Sequence, residues 1–250
     1  MTLQTLALAE AAPCPPLDPD RDALFLDLDG TLAPIAPRPE DVRPDPELTD
    51  LLRRLGERLG GRLAVVSGRT VADVDRILEG AVPALAGVHG LERRTPAGEL
   101  TRAEPPAGLA AAYKALQAYA DARPGLLVEN KGLAVAIHYR QAPALQAKVR
   151  ELALTLVAEH GLDSQFGDMV AELKTPGADK GASVRSFMAE PPFVGTRPVF
   201  VGDDLTDEDG FAAADALGGH GVLVAATRAT AARDRLPDVA AVHRWLGAAL

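Results

Sequence analysis

Ala23-Leu24-Phe25-Leu26-Asp27-Leu28-Asp29-Gly30-Thr31 is the stretch that decides the fold. It opens as a short apolar run, Ala23–Leu28, that ends in acid and then glycine. Such a run suits a buried strand of a parallel sheet with functional residues at its carboxyl end. Alternation along a strand places Asp27 and Asp29 on one side. Beyond the end of the strand, outside the sheet, both carboxylates can reach a single bound group.

Outward from this strand the pattern repeats. After a Pro-rich loop, Pro34 to Pro46, the segment Glu47–Leu59 carries Leu48, Leu51, Leu52, Leu55 and Leu59 at helical spacing, and Gly60-Gly61 stops it. Arg62–Val66 reads as a strand, Ser67-Gly68-Arg69 as the turn after it, and a helix runs on to about Leu78, with a third strand at Ala84–Val88. Strand and helix alternating with short links predict an α/β fold built on a doubly wound parallel sheet. The rhythm then changes. A hairpin is expected at Leu91–Arg102, a helix at Pro106–Ala122, paired strands at Leu126–Asn130 and Leu133–Tyr139, a helix at Pro143–His160 and a strand at Gln165–Leu173. Hairpins with two helices on one side predict an inserted α+β unit over 93–174. The doubly wound pattern resumes with a helix from about Lys180, strands at Pro198–Val201 and Gly221–Ala225, and helices at Thr206–Ala216 and from Pro237. The core is thus expected over 21–92 and 175–250, with 1–20 as a flexible extension.

Composition narrows the class. Asp plus Glu is 35 against 26 Lys plus Arg, a formal net charge of −9. An acidic chain without a basic run is a poor binder of nucleic-acid backbone. Cys14 is the only cysteine, so an intrachain disulfide and a multi-thiolate zinc site are excluded. The first residues lack the basic start and long apolar run of a signal peptide, and no run of about 18 apolar residues suggests a membrane span. The expected setting is cytoplasmic. Oligomeric state is left open, with a monomer as the default.

The chemistry lies at the strand ends. A second acidic cluster, Asp203-Asp204-Leu205-Thr206-Asp207, follows the strand at Pro198–Val201. Parallel strands bring both clusters to one edge, where they repel unless a cation lies between them. Magnesium suits such a site, because it takes carboxylate oxygens and keeps several waters. An ionised carboxylate can attack phosphorus without a base, and a metal offsets the phosphate charge. Lys180, opening a helix after Asp179, supplies a further cation together with backbone N–H groups. The Ser67 hydroxyl can donate to a phosphoryl oxygen. Each residue alone has a plainer use: a turn, a helix cap or a surface charge. Four groups of the required types, in order after strand-like segments, favour catalysis.

These motifs, DLDGT, VVSGR, DKG and VFVGDDLTDED, resemble the four ordered motifs of the haloacid dehalogenase-like phosphatases. The resemblance implies a Rossmann-like core, Asp27 as nucleophile and Asp29 as general acid and then base. It implies magnesium held by Asp27, the Asp29 carbonyl and Asp203, with Asp207 or Asp204 as the further acid, and phosphoryl oxygens held by Ser67 and Lys180. The insert's position resembles the branch with an α/β cap. Within that branch the chain from Ala23 to Trp245 is similar to the trehalose-6-phosphate phosphatases, in GDDLTDEDGF and in VENKG followed by HYR above all; Asn130 stands where that family commonly has Asp. The resemblance implies a phosphosugar substrate contacted by Gly30, Thr31, Gly68, Arg69, His89, Gly90, Glu129, Lys131, Arg140, Glu172 and Lys174. It also implies a functional pairing with a trehalose-phosphate synthase. Glu129, Lys131 and Arg140 would serve equally as an exposed cross-strand charge set. Sucrose 6-phosphate or glucosylglycerol phosphate is the alternative substrate. An inactive binding domain would be expected to lack Asp27, Asp29, Asp203 or Lys180.

Overall fold

A computed structural model describes residues 14–225 and 227–250. Eight strands form the main sheet in the order β12-β11-β10-β1-β2-β3-β4-β5. They are β1 (Asp22–Leu26), β2 (Leu63–Val66), β3 (Ala84–Gly87), β4 (Glu92–Arg94), β5 (Leu100–Arg102), β10 (Arg197–Gly202), β11 (His220–Val224) and β12 (Asp234–Leu236). From β12 to β3 every pairing is parallel, and β4 and β5 add an antiparallel hairpin at the edge. The chain leaves β1 toward β2 and β3 on one side and later returns to β10, β11 and β12 on the other. The direction of winding therefore switches beside β1, where open α/β sheets form a crevice.

Alternation along each strand builds two cores. Leu24 and Leu26 face α1 (Pro46–Arg58), α2 (Val71–Leu78) and α7 (Val239–Gly247), through Leu52, Leu55, Ile77 and Trp245. Ala23 and Phe25 face the other way, against α5 (Lys180–Met188) and α6 (Glu208–Ala216), through Phe187, Phe193 and Phe211. Caps mark the helix starts: the Asp45, Thr70, Asp179 and Asp238 side chains each accept a backbone N–H of the following helix.

A second sheet, in the order β6-β7-β9-β8, lies between β5 and α5 in the chain. Its strands are β6 (Leu127–Asn130), β7 (Ala134–His138), β8 (Asp163–Gly167) and β9 (Val170–Lys174), all antiparallel. Helices α3 (Gly108–Asp121) and α4 (Gln146–His160) cover one face, through Leu116, Val149 and Leu156 against Val135, Ile137 and Ala171.

The structure departs from the sequence reading in four places. The hairpin assigned to the insert from residue 93 pairs with β3 and extends the main sheet. The single strand expected at Gln165–Leu173 is two strands, folded back at Asp168-Met169 with Met169 at φ 59. That turn lacks glycine at its left-handed position, which is why it was not read. The short edge strand β12 carried too little pattern to be seen. Residues 14–20, assigned to the flexible extension, are docked: Leu17 is buried in the core and Trp245 Nε1 donates to the Pro15 carbonyl at 2.8 Å. Residues 1–13 lie outside the described residues.

Phe25, Phe187 and Phe193 pack with ring centroids 5.3 to 6.1 Å apart, between β1 and the last turn of α5. Replacing a buried Phe with Ala costs about 3–5 kcal/mol. Phe187→Ala is expected to lower stability by about that amount in urea unfolding, and a loss under about 1 kcal/mol would contradict this packing account.

Candidate active site

Each strand ending at the crevice delivers one functional segment. Asp27 follows β1, Ser67 follows β2, His89 follows β3 and Asp203 follows β10. The β1–β10 register, Leu26 opposite Val201, places the two acidic segments side by side. Lys180 begins α5 and is buried; its Nζ lies 2.8 Å from Asp27 Oδ1 and 2.6 Å from Asp207 Oδ1. Burial alone would lower the Lys180 pKa, but Asp207 and Asp27 outweigh it and raise it. Burial pushes Asp27 up, against the pull of Lys180 and with the help of Asp207 and Asp203. Asp203 is pushed up to about 7, by burial first and then by Asp207.

Carboxylate oxygens of Asp27, Asp203 and Asp207 lie within 4.8 Å of one another. Three carboxylates crowded this closely are a donor set that a hard divalent cation fits. The three are not equivalent. Asp27 and Asp203 line the cleft. Asp207 is fully buried behind them, where Oδ2 accepts the Asp203 and Asp204 N–H groups at 3.0 Å while Oδ1 meets Lys180. Asp204 lines the cleft outside this group: its Oδ1 accepts the Leu205 N–H and its Oδ2 the Asp168 N–H at 3.3 Å. Gly167 permits that approach, since a Cβ there would lie 2.7 Å from Asp204 Oδ2.

The second sheet forms the opposite wall. Its register aligns Glu129, Ala136, Glu172 and Gln165 in one row across four strands, and Leu127, His138, Val170 and Gly167 in the next row on the same face. Ala136 is small, which leaves room between the acids. Lys131 Nζ donates to Glu172 Oε2 at 2.5 Å and to the Gly68 carbonyl at 2.8 Å, joining this wall to the core. His89 Nε2 is 3.3 Å from Glu172 Oε1. Gly68 makes way for that ring, since a Cβ there would lie 2.7 Å from His89 Nε2. Burial holds His89 below its ordinary value. Burial would raise Glu172, but the Lys131 ammonium holds it well below the usual carboxylate range. Glu129 meets His138 Nε2 at 2.9 Å. His89 Nδ1 and Gln165 Oε1 are buried without a hydrogen-bond partner among the described residues, and Glu172 Oε1 meets only the His89 ring at 3.3 Å. All three side chains belong to the lining of a cleft of about 200 Å³. Buried acceptors and donors of this kind await a polar ligand.

The cleft therefore unites Asp27, Asp29, Ser67, Gly68, Arg69, His89, Glu129, Lys131, Arg140, Glu172, Lys180, Asp203 and Asp204, as the sequence reading expected to find near one ligand. Four expected contacts lie elsewhere. Gly30, at φ 83, leaves no room for a side chain against Asp203, and Thr31 Oγ1 donates to Asp203 Oδ1 at 3.3 Å, so both support the acid from behind. Gly90, at φ 103, packs against Ser183. The Lys174 ammonium turns to the Ala178 carbonyl and does not line the cleft. Sequence reasoning missed His138 and Gln165, which period-two alternation from Glu129 and Glu172 identifies once the β8–β9 turn is known. It also missed the apolar rim Ile35-Ala36-Pro37 and Pro39.

The model of the family described as trehalose-phosphatase matches residues 25–239. A protein of Sinorhizobium fredii described as a probable trehalose-phosphate phosphatase is 40% identical over 83% of this chain and 79% of its own length. The trehalose-6-phosphate phosphatase of Escherichia coli K12 is 40% identical over 90% of this chain and 85% of its own. Among solved structures, a trehalose-6-phosphate phosphatase related protein superposes with a TM-score of 0.74 at 28% identity, over 89% of this chain and 94% of that one.

Two outcomes follow from the buried charges. Removing one partner of a buried ion pair costs about 3–5 kcal/mol. Lys180→Met, which leaves Asp27 and Asp207 without their shared cation, is expected to lose that much in urea unfolding near neutral pH; unchanged stability would refute the bridge. Glu172 has a lowered folded-state pKa, so its contribution is complete above the unfolded value of about 4.3 and is lost as pH falls from there through the folded value. Stability measured from pH 6 down to pH 3 is expected to fall less steeply in Glu172→Gln than in the parent protein; parallel curves would contradict the assignment.

Proposed function

The chain belongs to the trehalose-phosphatase family, and on that premise we propose that it hydrolyses trehalose 6-phosphate to trehalose and inorganic phosphate through a phosphoryl group carried on Asp27. The observation that carries this reading is the pairing of two unlike walls across one cleft. One is a cationic and acidic strand-end site fit for phosphoryl transfer, and the other a row of buried polar side chains fit for a polyhydroxy leaving group.

Lys180 occupies Asp27 Oδ1, which leaves Oδ2 to attack phosphorus. The bond from phosphorus to the sugar oxygen breaks, and Asp29 delivers a proton to that oxygen. Asp29 then takes a proton from the water that attacks the phosphoryl group, releasing phosphate and restoring the Asp27 carboxylate. Lys180 and the Ser67 hydroxyl steady the phosphoryl oxygens. The Asp27 and Asp203 carboxylates and the Asp29 carbonyl, with Asp207 behind them, would hold magnesium, which would supply positive charge against the phosphoryl group. Glu129, Lys131, Glu172 and Gln165 hold the sugar hydroxyls, and Asn130 in place of Asp leaves this set intact. A synthase that makes the phosphorylated disaccharide is the functional partner this activity requires. The lone Cys14, with no demand for an oxidising compartment, supports a cytoplasmic setting. Among the described residues no helix is long and apolar enough to cross a membrane.

Phosphate release from trehalose 6-phosphate, sucrose 6-phosphate and glucose 6-phosphate tests the reading directly. Preference for trehalose 6-phosphate, loss of activity in Asp27→Asn, and loss on chelation with recovery on added magnesium are expected. Preference for another ester would overturn the substrate, and activity in Asp27→Asn would overturn the mechanism.

A further inference from the structure

Arg69 stands in the cleft lining, where a guanidinium would ordinarily be assigned to phosphate or sugar. Its hydrogen bonds point elsewhere. Nε donates to Asp29 Oδ2 at 2.6 Å and Nη2 to Asp29 Oδ1 at 2.8 Å, a two-pronged pairing of guanidinium with carboxylate. Nη1 donates to the Pro39 carbonyl at 2.8 Å. At its base, the Arg69 N–H donates to Ser67 Oγ at 3.1 Å, which fixes the turn that presents the side chain. The Arg69 side chain is 10% exposed, whereas that of Asp29 is 35% exposed, toward the cleft.

We propose that Arg69 is the positioning residue for Asp29: it fixes the plane of the carboxyl that moves protons in both half-reactions, and it does not hold phosphate or sugar. A carboxyl group whose two oxygens both accept from the fork cannot rotate about its last bond, whether it is ionised or carries its proton on a position the fork leaves free. Each carboxylate oxygen has two acceptor positions, and the fork takes one on each. The other faces the cleft, where a sugar oxygen or a water can meet it. Lys in place of Arg cannot reproduce the planar fork. The bond to Pro39 ties the same group to the apolar rim, so proton transfer is set against a fixed lip of the substrate cleft.

This inference rests on the proposed phosphoryl transfer, and its test separates the two. Asp29 serves the first half-reaction by protonating the leaving oxygen and the second by deprotonating water. A p-nitrophenyl phosphate needs no proton on its leaving group, so only the second half-reaction should then feel a misplaced Asp29. With Arg69→Met and Arg69→Lys, kcat on trehalose 6-phosphate is expected to fall by about 10²-fold, the lower end of what positioned proton transfer contributes, with KM little changed. On p-nitrophenyl phosphate the same variants are expected to release nitrophenolate in a burst, with a first turnover as fast as in the parent protein, followed by slow turnover as phosphorylated Asp27 accumulates. Arg69→Lys keeps the charge in the turn, and a thermal melt of each variant identifies any that fails to fold. A raised KM with unchanged kcat would assign Arg69 to substrate instead and overturn the proposal. A slowed first turnover on p-nitrophenyl phosphate would do the same, because it would place Arg69 on the phosphoryl group. Parent protein that releases no phosphate from the sugar ester would overturn the function, whatever the variants do.

Discussion

A single buried ammonium holds this site together. Lys180 bridges Asp27, which follows β1, and Asp207, in the short helical turn that follows the neighbouring strand β10. Without that cation, two carboxylates in a dry crevice would repel and pay the full cost of desolvation. With it, one oxygen of Asp27 is occupied and the other is aimed. The interaction depends on α5 beginning at residue 180, which the Asp179 cap sets, and on the aromatic cluster of Phe25, Phe187 and Phe193 that seats the helix against the sheet.

The second sheet solves a different problem. Its polar row, which we propose meets the sugar hydroxyls, is built from side chains that neutralise one another and still leave valences open. Lys131 satisfies one oxygen of Glu172 and the Gly68 carbonyl, while the other oxygen of Glu172 meets only the His89 ring. The same lysine closes the gap between the two walls. On the far side Asp204 reaches the turn at Asp168, and Gly167 is the residue that lets it come near. The cleft is thus bounded at both ends by polar contacts between the strand-end segments and the covering sheet, which exchange for solvent more readily than packed apolar surface would.

Much of this was legible in the sequence because each residue proposed as catalytic sits in a local pattern. Asp27 and Asp29 end an apolar run, Ser67 ends another, and Lys180 follows a capping Asp, so strand ends and a helix start could be named without tertiary information. The sugar-facing row was less legible, because it depends on cross-strand register. His138 and Gln165 become neighbours of Glu129 and Glu172 only once β8 and β9 are known to fold back at Met169, a turn with no glycine at its left-handed position. Lys174 shows the converse error. Alternation puts it on the face of Glu172, but its ammonium is consumed by the Ala178 carbonyl two residues before α5. The hairpin of β4 and β5 was misplaced for a similar reason: its sequence specifies a hairpin, and only the edge of β3 decides which sheet receives it.

The central claim is that Asp27 carries the phosphoryl group. Acid-quenching the protein during turnover of trehalose 6-phosphate, followed by mass spectrometry of its peptides, tests this most directly. A phosphoryl adduct is expected on the peptide containing Asp27, localised to that residue and absent when substrate is omitted. Turnover with no adduct at any quench time, or an adduct on another residue, would contradict it.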